Sequence, residues 1–187
     1  MNRTLVMAML ALASLSAQAD DTALTPRVGI AAAFGRFQGD DVPSGALGNK
    51  FVEDNAVGFK AYAQYPLNDW FAVEGAYHYT SNFKDKQKGD SLPEGQLELS
   101  FDGFSAQGLV YIPTTIEDLQ LYVKAGYYDF SDELVLNGST ISNSSERGLV
   151  FGGGFGLKFD DNLVLRADLD WFNADAGDLS SVNIGIE

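Results

Sequence analysis

Between residues 149 and 171 the side chains alternate between apolar and polar, with one polar break. Leu149, Phe151, Phe155, Leu157 and Phe159 share one face of the first half, and Gly152, Gly154, Gly156 and Lys158 share the other. After Asp160-Asp161-Asn162, Leu163, Leu165, Ala167, Leu169 and Trp171 form an apolar face opposite Val164, Arg166, Asp168 and Asp170. Period two with a three-residue polar break predicts two antiparallel strands and a tight turn. Centring the turn near Asp161 sets Gly156 opposite Arg166, Gly154 opposite Asp168 and Gly152 opposite Asp170. Glycine opposite a long charged side chain leaves room for it. A narrow polar lumen needs that room, whereas a freely solvated face does not. The aliphatic and aromatic face then looks outward into lipid, which is the alternation of a transmembrane β-barrel.

The same period recurs along the chain. A first strand is expected over residues 27–37, where Val28, Ile30, Ala32 and Phe34 alternate with Gly29, Ala31, Ala33 and Gly35. The second covers 56–65 and the third 70–80, joined by a turn at Pro66-Leu67-Asn68-Asp69. Centring that turn near Leu67 sets Lys60 opposite Glu74. The fourth covers 95–112, and its phase slips near Asp102-Gly103, which predicts a bulge or bend there. The fifth covers 119–130, the sixth and seventh are the pair above, and the eighth covers 179–187, with Val182, Ile184 and Ile186 outward.

Long polar segments at 38–55, 81–94, 131–145 and 173–178 alternate with short turns at Pro66, at 113–118 and at Asp160-Asp161. An even strand count and this asymmetry of connections predict an all-β, eight-stranded, antiparallel up-and-down transmembrane β-barrel. Strands of about 9–11 residues suit a tilted membrane crossing. Tyr65, Trp70, Phe71, Tyr111 and Phe159 near the turns, and Tyr79, Tyr127 and Trp171 toward the long segments, are candidate membrane-interface aromatics. The competing fold is a soluble lipocalin-like barrel, which would place the aromatic face inside and Lys60, Glu74 and Arg166 in solvent.

Composition narrows the function. The 187 residues suit one domain, and the net charge of -14 argues against nucleic acid, which is bound through basic patches. Cysteine is absent, which excludes a disulfide framework, thiolate chemistry and Cys-ligated metal. Residues 1–19 read as a secretory signal peptide: Arg3 is the basic start, 5–15 the apolar run, and Ala17-Gln18-Ala19 the cleavage pattern. Residues 20–187 then form the barrel domain. No later stretch is apolar enough for a membrane helix, and an exported chain of this kind spans a membrane only as a closed barrel.

The segments Gly58-Phe59-Lys60-Ala61-Tyr62, Trp70-Phe71-Ala72-Val73-Glu74-Gly75-Ala76-Tyr77, Leu121-Tyr122-Val123-Lys124-Ala125-Gly126-Tyr127 and Gly152-Gly153-Gly154-Phe155-Gly156-Leu157 resemble the OmpA-like (OmpX/opacity-type) outer-membrane β-barrel superfamily. The resemblance extends over 20–187. It implies a Gram-negative outer-membrane location, contact with outer-membrane lipid and lipopolysaccharide, and loops presented at the cell surface. It also implies a terminal aromatic on the last strand as an assembly signal; this chain reads Ile184-Gly185-Ile186-Glu187 there. The expected function is a structural and interaction protein that presents four surface loops for adhesion or host contact. A monomer is expected, with no cofactor, no metal and no catalysis.

Lys60, Glu74, Lys124, Lys158, Arg166, Asp168 and Asp170 are the expected lumen ion-pair network. An eight-stranded barrel is barely wide enough for its own side chains, so a self-satisfying plug outweighs an ion pathway. His78 is the sole histidine. His78-Tyr79-Thr80-Ser81-Asn82 faintly resembles the His-x-Ser-Asn segment of lipid A deacylases, which makes a lipid A hydrolase the first alternative. Thr80 stands where the nucleophilic Ser would be, and the strand phase points His78 inward. A small OmpW-like transporter of hydrophobic molecules is the second alternative, and the charged inner face disfavours it. Gly152 to Gly156 lacks the following helix and Lys-Ser/Thr of a phosphate loop. The acids Asp40, Asp41, Glu53, Asp54, Asp129, Asp132 and Glu133 lack an EF-hand pattern and read as solvated surface. The sequons at Asn137 and Asn143 carry no weight in a chain of bacterial type.

Overall fold

The computed structural model describes residues 25–39, 53–86, 96–136, 138–160, 163–174 and 177–187. The expected signal peptide, Asp40, Asp41 and the sequon residue Asn137 lie outside these. The strands are β1 (Arg27–Gly39), β2 (Glu53–Pro66), β3 (Phe71–Thr80), β4 (Phe83–Lys86), β5 (Gln96–Ile112), β6 (Leu119–Leu136), β7 (Ser139–Asp160), β8 (Leu163–Ala174) and β9 (Gly177–Ile186). β1 pairs with β9 and β3 with β5, which closes an antiparallel sheet. β3 and β4 are two parts of one wall strand, since both lie against β5. The fold is therefore a closed, eight-stranded, antiparallel β-barrel. Among the described residues no helix is long and apolar enough to cross a membrane, a criterion that does not bear on strands.

Alternation sets the two faces. Val28, Ile30, Phe34, Val57, Val73, Val110, Val123, Phe151 and Ile184 are exposed on the outside, while Lys60, Glu74, Lys124, Arg166, Asp168 and Asp170 are buried within. An apolar exterior around a polar interior is the membrane arrangement and the reverse of a soluble barrel. The register of β7 against β8 pairs Gly152 with Asp170, Gly154 with Asp168 and Gly156 with Arg166. A Cβ at Gly154 would lie 2.3 Å from the Ala167 carbonyl oxygen and 2.7 Å from Asp168 Oδ1. Only the missing side chain lets the carboxylate occupy that space.

Three local expectations are corrected. The β2–β3 turn is centred two residues later than Leu67, so Lys60 pairs with His78 and Gln64 with Glu74. Asn68 explains the shift: its Oδ1 accepts from the backbone N–H groups of Trp70 and Phe71, and the turn closes around it. β5 is regular, with Leu99, Phe101, Gly103, Ser105, Gln107 and Leu109 all inward, and no bulge occurs at Asp102-Gly103. The irregularity lies across the sheet. Tyr79 pairs with Asp102 and Phe83 with Leu99, so three residues of the β3–β4 strand face two of β5. Thr80 Oγ1 fills the gap, donating to the Phe101 carbonyl and accepting from its N–H.

The third difference concerns 131–145, expected as a loop. β6 and β7 continue as a paired hairpin through nearly all of it, with a register shift between Leu134 and Val135. Pairing of β7 with β8 stops at Val150 and Phe172, so this hairpin stands beyond the barrel wall on one side.

Candidate functional site

The lumen is built in three layers. The middle layer is a charged belt carried by β2, β3, β6 and β8. Lys60 Nζ lies 2.7 Å from Glu74 Oε1, 3.2 Å from Asp168 Oδ2 and 3.3 Å from Asp170 Oδ2. Lys124 Nζ lies 2.8 Å from Asp170 Oδ1 and 3.1 Å from Asp168 Oδ2. Arg166 donates through Nη2 to Glu74 Oε2 at 2.5 Å and through Nε to Asp168 Oδ1 at 3.0 Å. Three cations and three carboxylates thus meet in one cluster of matched charge. Tyr62 and Tyr122 sandwich the guanidinium of Arg166, with ring centroids 4.4 and 4.8 Å from Cζ. The Tyr122 hydroxyl donates to Asp168 and accepts from Arg166 Nε. Asn183 Nδ2 donates to Asp170 Oδ2. Burying charge is costly unless it is paired and hydrogen-bonded, and nearly every group here has both.

Below the belt, on the side of the short turns, lies a floor of Ala72, Leu109 and Tyr122 with Tyr111 packed against it. Arg27 Nη1 and Arg166 Nη1 hold the two oxygens of Glu187 at 3.1 and 3.2 Å. A mouth of about 900 Å³ opens beneath, lined by Arg27, Gln120, Lys158 and Glu187 among others. Above the belt lies an aromatic cap: Phe83, Leu99, Phe101, Tyr128, Phe130, Val150, Phe172 and Leu179 form one buried cluster. Phe172 sits 4.9 Å from Phe130 and edge-on to Tyr128 at 5.4 Å.

Of the seven expected lumen residues, Lys60, Glu74, Lys124, Arg166, Asp168 and Asp170 come together in the belt. Lys158 does not. It is the last inward position of β7 before the register shift between Lys158 and Asp160, and its exposed side chain lines the mouth at the turn end. Of the expected interface aromatics, Tyr65, Phe71, Tyr79, Tyr127, Phe159 and Trp171 are exposed on the wall strands, and Trp70 is exposed in the β2–β3 turn beside the mouth. Tyr111 points inward, because β5 keeps one phase along its whole length; its hydroxyl accepts from Gln64 Nε2.

The barrel is closed on the β1–β9 seam, apolar outside and plugged within. The profile of the family described as outer membrane protein beta-barrel domain matches residues 5–186. The chain belongs to this outer-membrane β-barrel family. Among solved structures it is similar to Ail, the attachment invasion locus protein of Yersinia pestis, at 18% identity and a TM-score of 0.57, covering 86% of this chain and 95% of that one. Neisserial surface protein A matches at 17% identity and a TM-score of 0.61, over 86% and 94% of the two chains. The N-terminal barrel of Pseudomonas aeruginosa OprF matches at 17% identity and 0.52, over 85% and 95%. These identities carry the fold alone. A search of curated protein sequences finds no match.

Within this outer-membrane barrel His78 lies in the lumen, at the junction of belt and cap. Its Nε2 is 2.9 Å from Ser105 Oγ, and its ring packs on Phe172 at 5.3 Å and Phe130 at 5.5 Å. Thr80 is occupied at the bulge with Phe101. The Ser105 contact and the aromatic cap are absent from the sequence reading. A signal for the cap exists: carrying the inward phase of Lys124 forward reaches Tyr128 and Phe130, and that of Asp170 reaches Phe172. Among the described residues no group of three or more acidic or histidine side chains is placed to hold a metal ion.

Proposed function

We propose that the protein is anchored in the outer membrane by its barrel and works at the cell surface, as a structural and contact protein for other cells or surfaces. The observation that carries this reading is the plugged lumen. Belt and cap together fill the barrel's width, so the barrel serves as an anchor and the surface available for recognition is its outer end. The β6–β7 hairpin and the ends of β1, β2, β4, β5, β8 and β9 on the same side present that surface. By the family's usual arrangement the short turns face the periplasm and these segments face outward.

The lipid A hydrolase alternative gains nothing from His78, whose ring is enclosed by Phe130 and Phe172 and removed from lipid. Lipid A mass spectra from cells with and without the protein are expected to be identical. A hydrophobic-solute transporter needs an open apolar path, and the belt stands across it. Crystals of Yersinia pestis Ail have been obtained with the heparin analogue sucrose octasulfate; the net charge of -14 here disfavours a sulfated ligand for this chain.

The test is display of the protein on a non-adherent Gram-negative strain. Displaying cells are expected to attach to cultured host cells above the empty-vector strain. A barrel whose hairpin residues 131–145 are replaced by a short turn is expected to lose part of that attachment while keeping heat-dependent gel mobility. Equal attachment of displaying and empty-vector cells would contradict the reading.

A further inference from the structure

The turn end of the barrel, opposite the β6–β7 hairpin, holds a cavity that neither belt nor cap fills. This mouth of about 900 Å³ lies within the range of about 300–1,000 Å³ usual for small-molecule sites. Much of its wall is apolar. Pro66 comes from the end of β2, Trp70 from the turn that follows, Ile112 from the end of β5, Leu119 from the start of β6 and Val164 from β8.

Arg27 is held in place in this mouth. Its Nη1 donates to Gln120 Oε1 and to Glu187 Oε1, both at 3.1 Å. Those two bonds occupy both Nη1 hydrogens. Among the described residues no acceptor meets Nη2 or Nε. A guanidinium carries five N–H donors in a rigid fork, so three remain, and the Nε–Nη2 edge has the geometry that takes a carboxylate by two parallel bonds. The Arg27 side chain is 37% exposed, so a ligand can reach it.

Lys158 brings a second positive charge to the mouth on an exposed side chain. Two acids line it as well. Glu187 is buried and held by both Arg27 and Arg166, so its charge is already answered. Asp69 is an exposed residue of the β2–β3 turn. The accessible charge is therefore two cations against one acid, in a chain whose net charge is -14.

We propose that the mouth binds a small apolar carboxylic acid in its ionised form, with the carboxylate on Arg27 and Lys158 and the apolar body against Trp70, Ile112 and Val164. Charge-assisted, two-pronged bonds to the guanidinium fix the head. The exposed indole of Trp70 offers a face on which a planar ring stacks. The site is at the opposite end of the barrel from the contact surface proposed above and does not depend on it.

The test uses the full chain in nanodiscs of zwitterionic lipid, titrated calorimetrically with naphthoate. Protein-free discs are titrated alongside to subtract partition into lipid. Saturable binding at one site is expected. Naphthamide has the same shape without the charge and is expected to bind about tenfold or more weakly, and naphthylmethylammonium is expected not to bind. Heats equal to those of protein-free discs overturn the proposal, and so does equal binding of the amide or of the ammonium. Arg27→Lys keeps a cation beside Glu187 but loses the fork, and is expected to weaken naphthoate about tenfold. Lys158→Gln lies outside the belt and is expected to weaken it severalfold while heat-dependent gel mobility is kept. Arg147→Gln removes a cation toward the hairpin end of β7 and is expected to leave the affinity unchanged. Should Arg27→Lys lose the folded mobility, Lys158→Gln decides alone. Unchanged affinity in the folded variants of the mouth, or an equal loss in Arg147→Gln, overturns the assignment.

Discussion

The belt and the cap are neighbours in one lumen, equally buried, and held by opposite means. The belt holds Lys60, Lys124 and Arg166 against Glu74, Asp168 and Asp170. The cap holds Phe83, Phe101, Tyr128, Phe130 and Phe172 against one another. Apolar packing tolerates a change of shape at modest cost, because each contact is weak and non-directional. A buried ion cluster tolerates no change of count, because each charge removed strands another. The molecule therefore has a brittle layer and a forgiving one, a few residues apart on β6 and β8.

Variants in the two layers are expected to diverge accordingly, measured by denaturant unfolding of the protein in lipid vesicles. Lys60→Met leaves Glu74, Asp168 and Asp170 short of a partner, and should cost about 3–5 kcal/mol. A loss under about 1 kcal/mol would show that the belt is hydrated and the contrast false. Gly154→Ala drives a methyl toward the Ala167 carbonyl and Asp168, and should cost roughly 2 kcal/mol through overpacking. Gly75 lies on the lipid face, and a methyl group there would meet nothing within 4 Å. Gly75→Ala is thus the matched control and should stay within about 0.5 kcal/mol of the parent. In the cap, Phe172→Leu should cost about 1 kcal/mol, with the ring's neighbours closing on the smaller side chain. Smallest of all is Asp129→Asn. Its pair with Arg147 is solvent-exposed on both sides, so its loss should cost at most about 0.5 kcal/mol and vanish at high salt.

How much of this is legible in the sequence follows from what carries the information. The β7–β8 register is readable because glycine and long charged residues alternate in step on facing strands, and a slip of one residue would turn every side chain to the wrong face. The β2–β3 register is not, because turn length decides it, and the capping by Asn68 moves the turn without altering the alternation. The displaced bulge has a similar origin. Leu99 and Phe101 are apolar yet inward, so an expectation of a polar lumen throughout places a slip on β5. In fact the lumen itself turns apolar there, and the extra residue lies opposite, at Ser81-Asn82. Tyr111 departs from expectation for the same reason, since a β5 without a slip turns it inward; Lys158 departs because period two gives the side of a strand but not the depth at which a side chain ends. The hairpin beyond the barrel is hidden by composition, since Ser-, Asn- and Asp-rich sequence reads as loop until long-range pairing overrides it.

Closure of the lumen by its own side chains separates an anchor from a pore. Planar-bilayer recording of the purified protein tests it most directly. No sustained conducting steps are expected for the parent protein, with conduction emerging in Lys60→Met as the belt loosens. A steady open-channel current through the unaltered protein would contradict it.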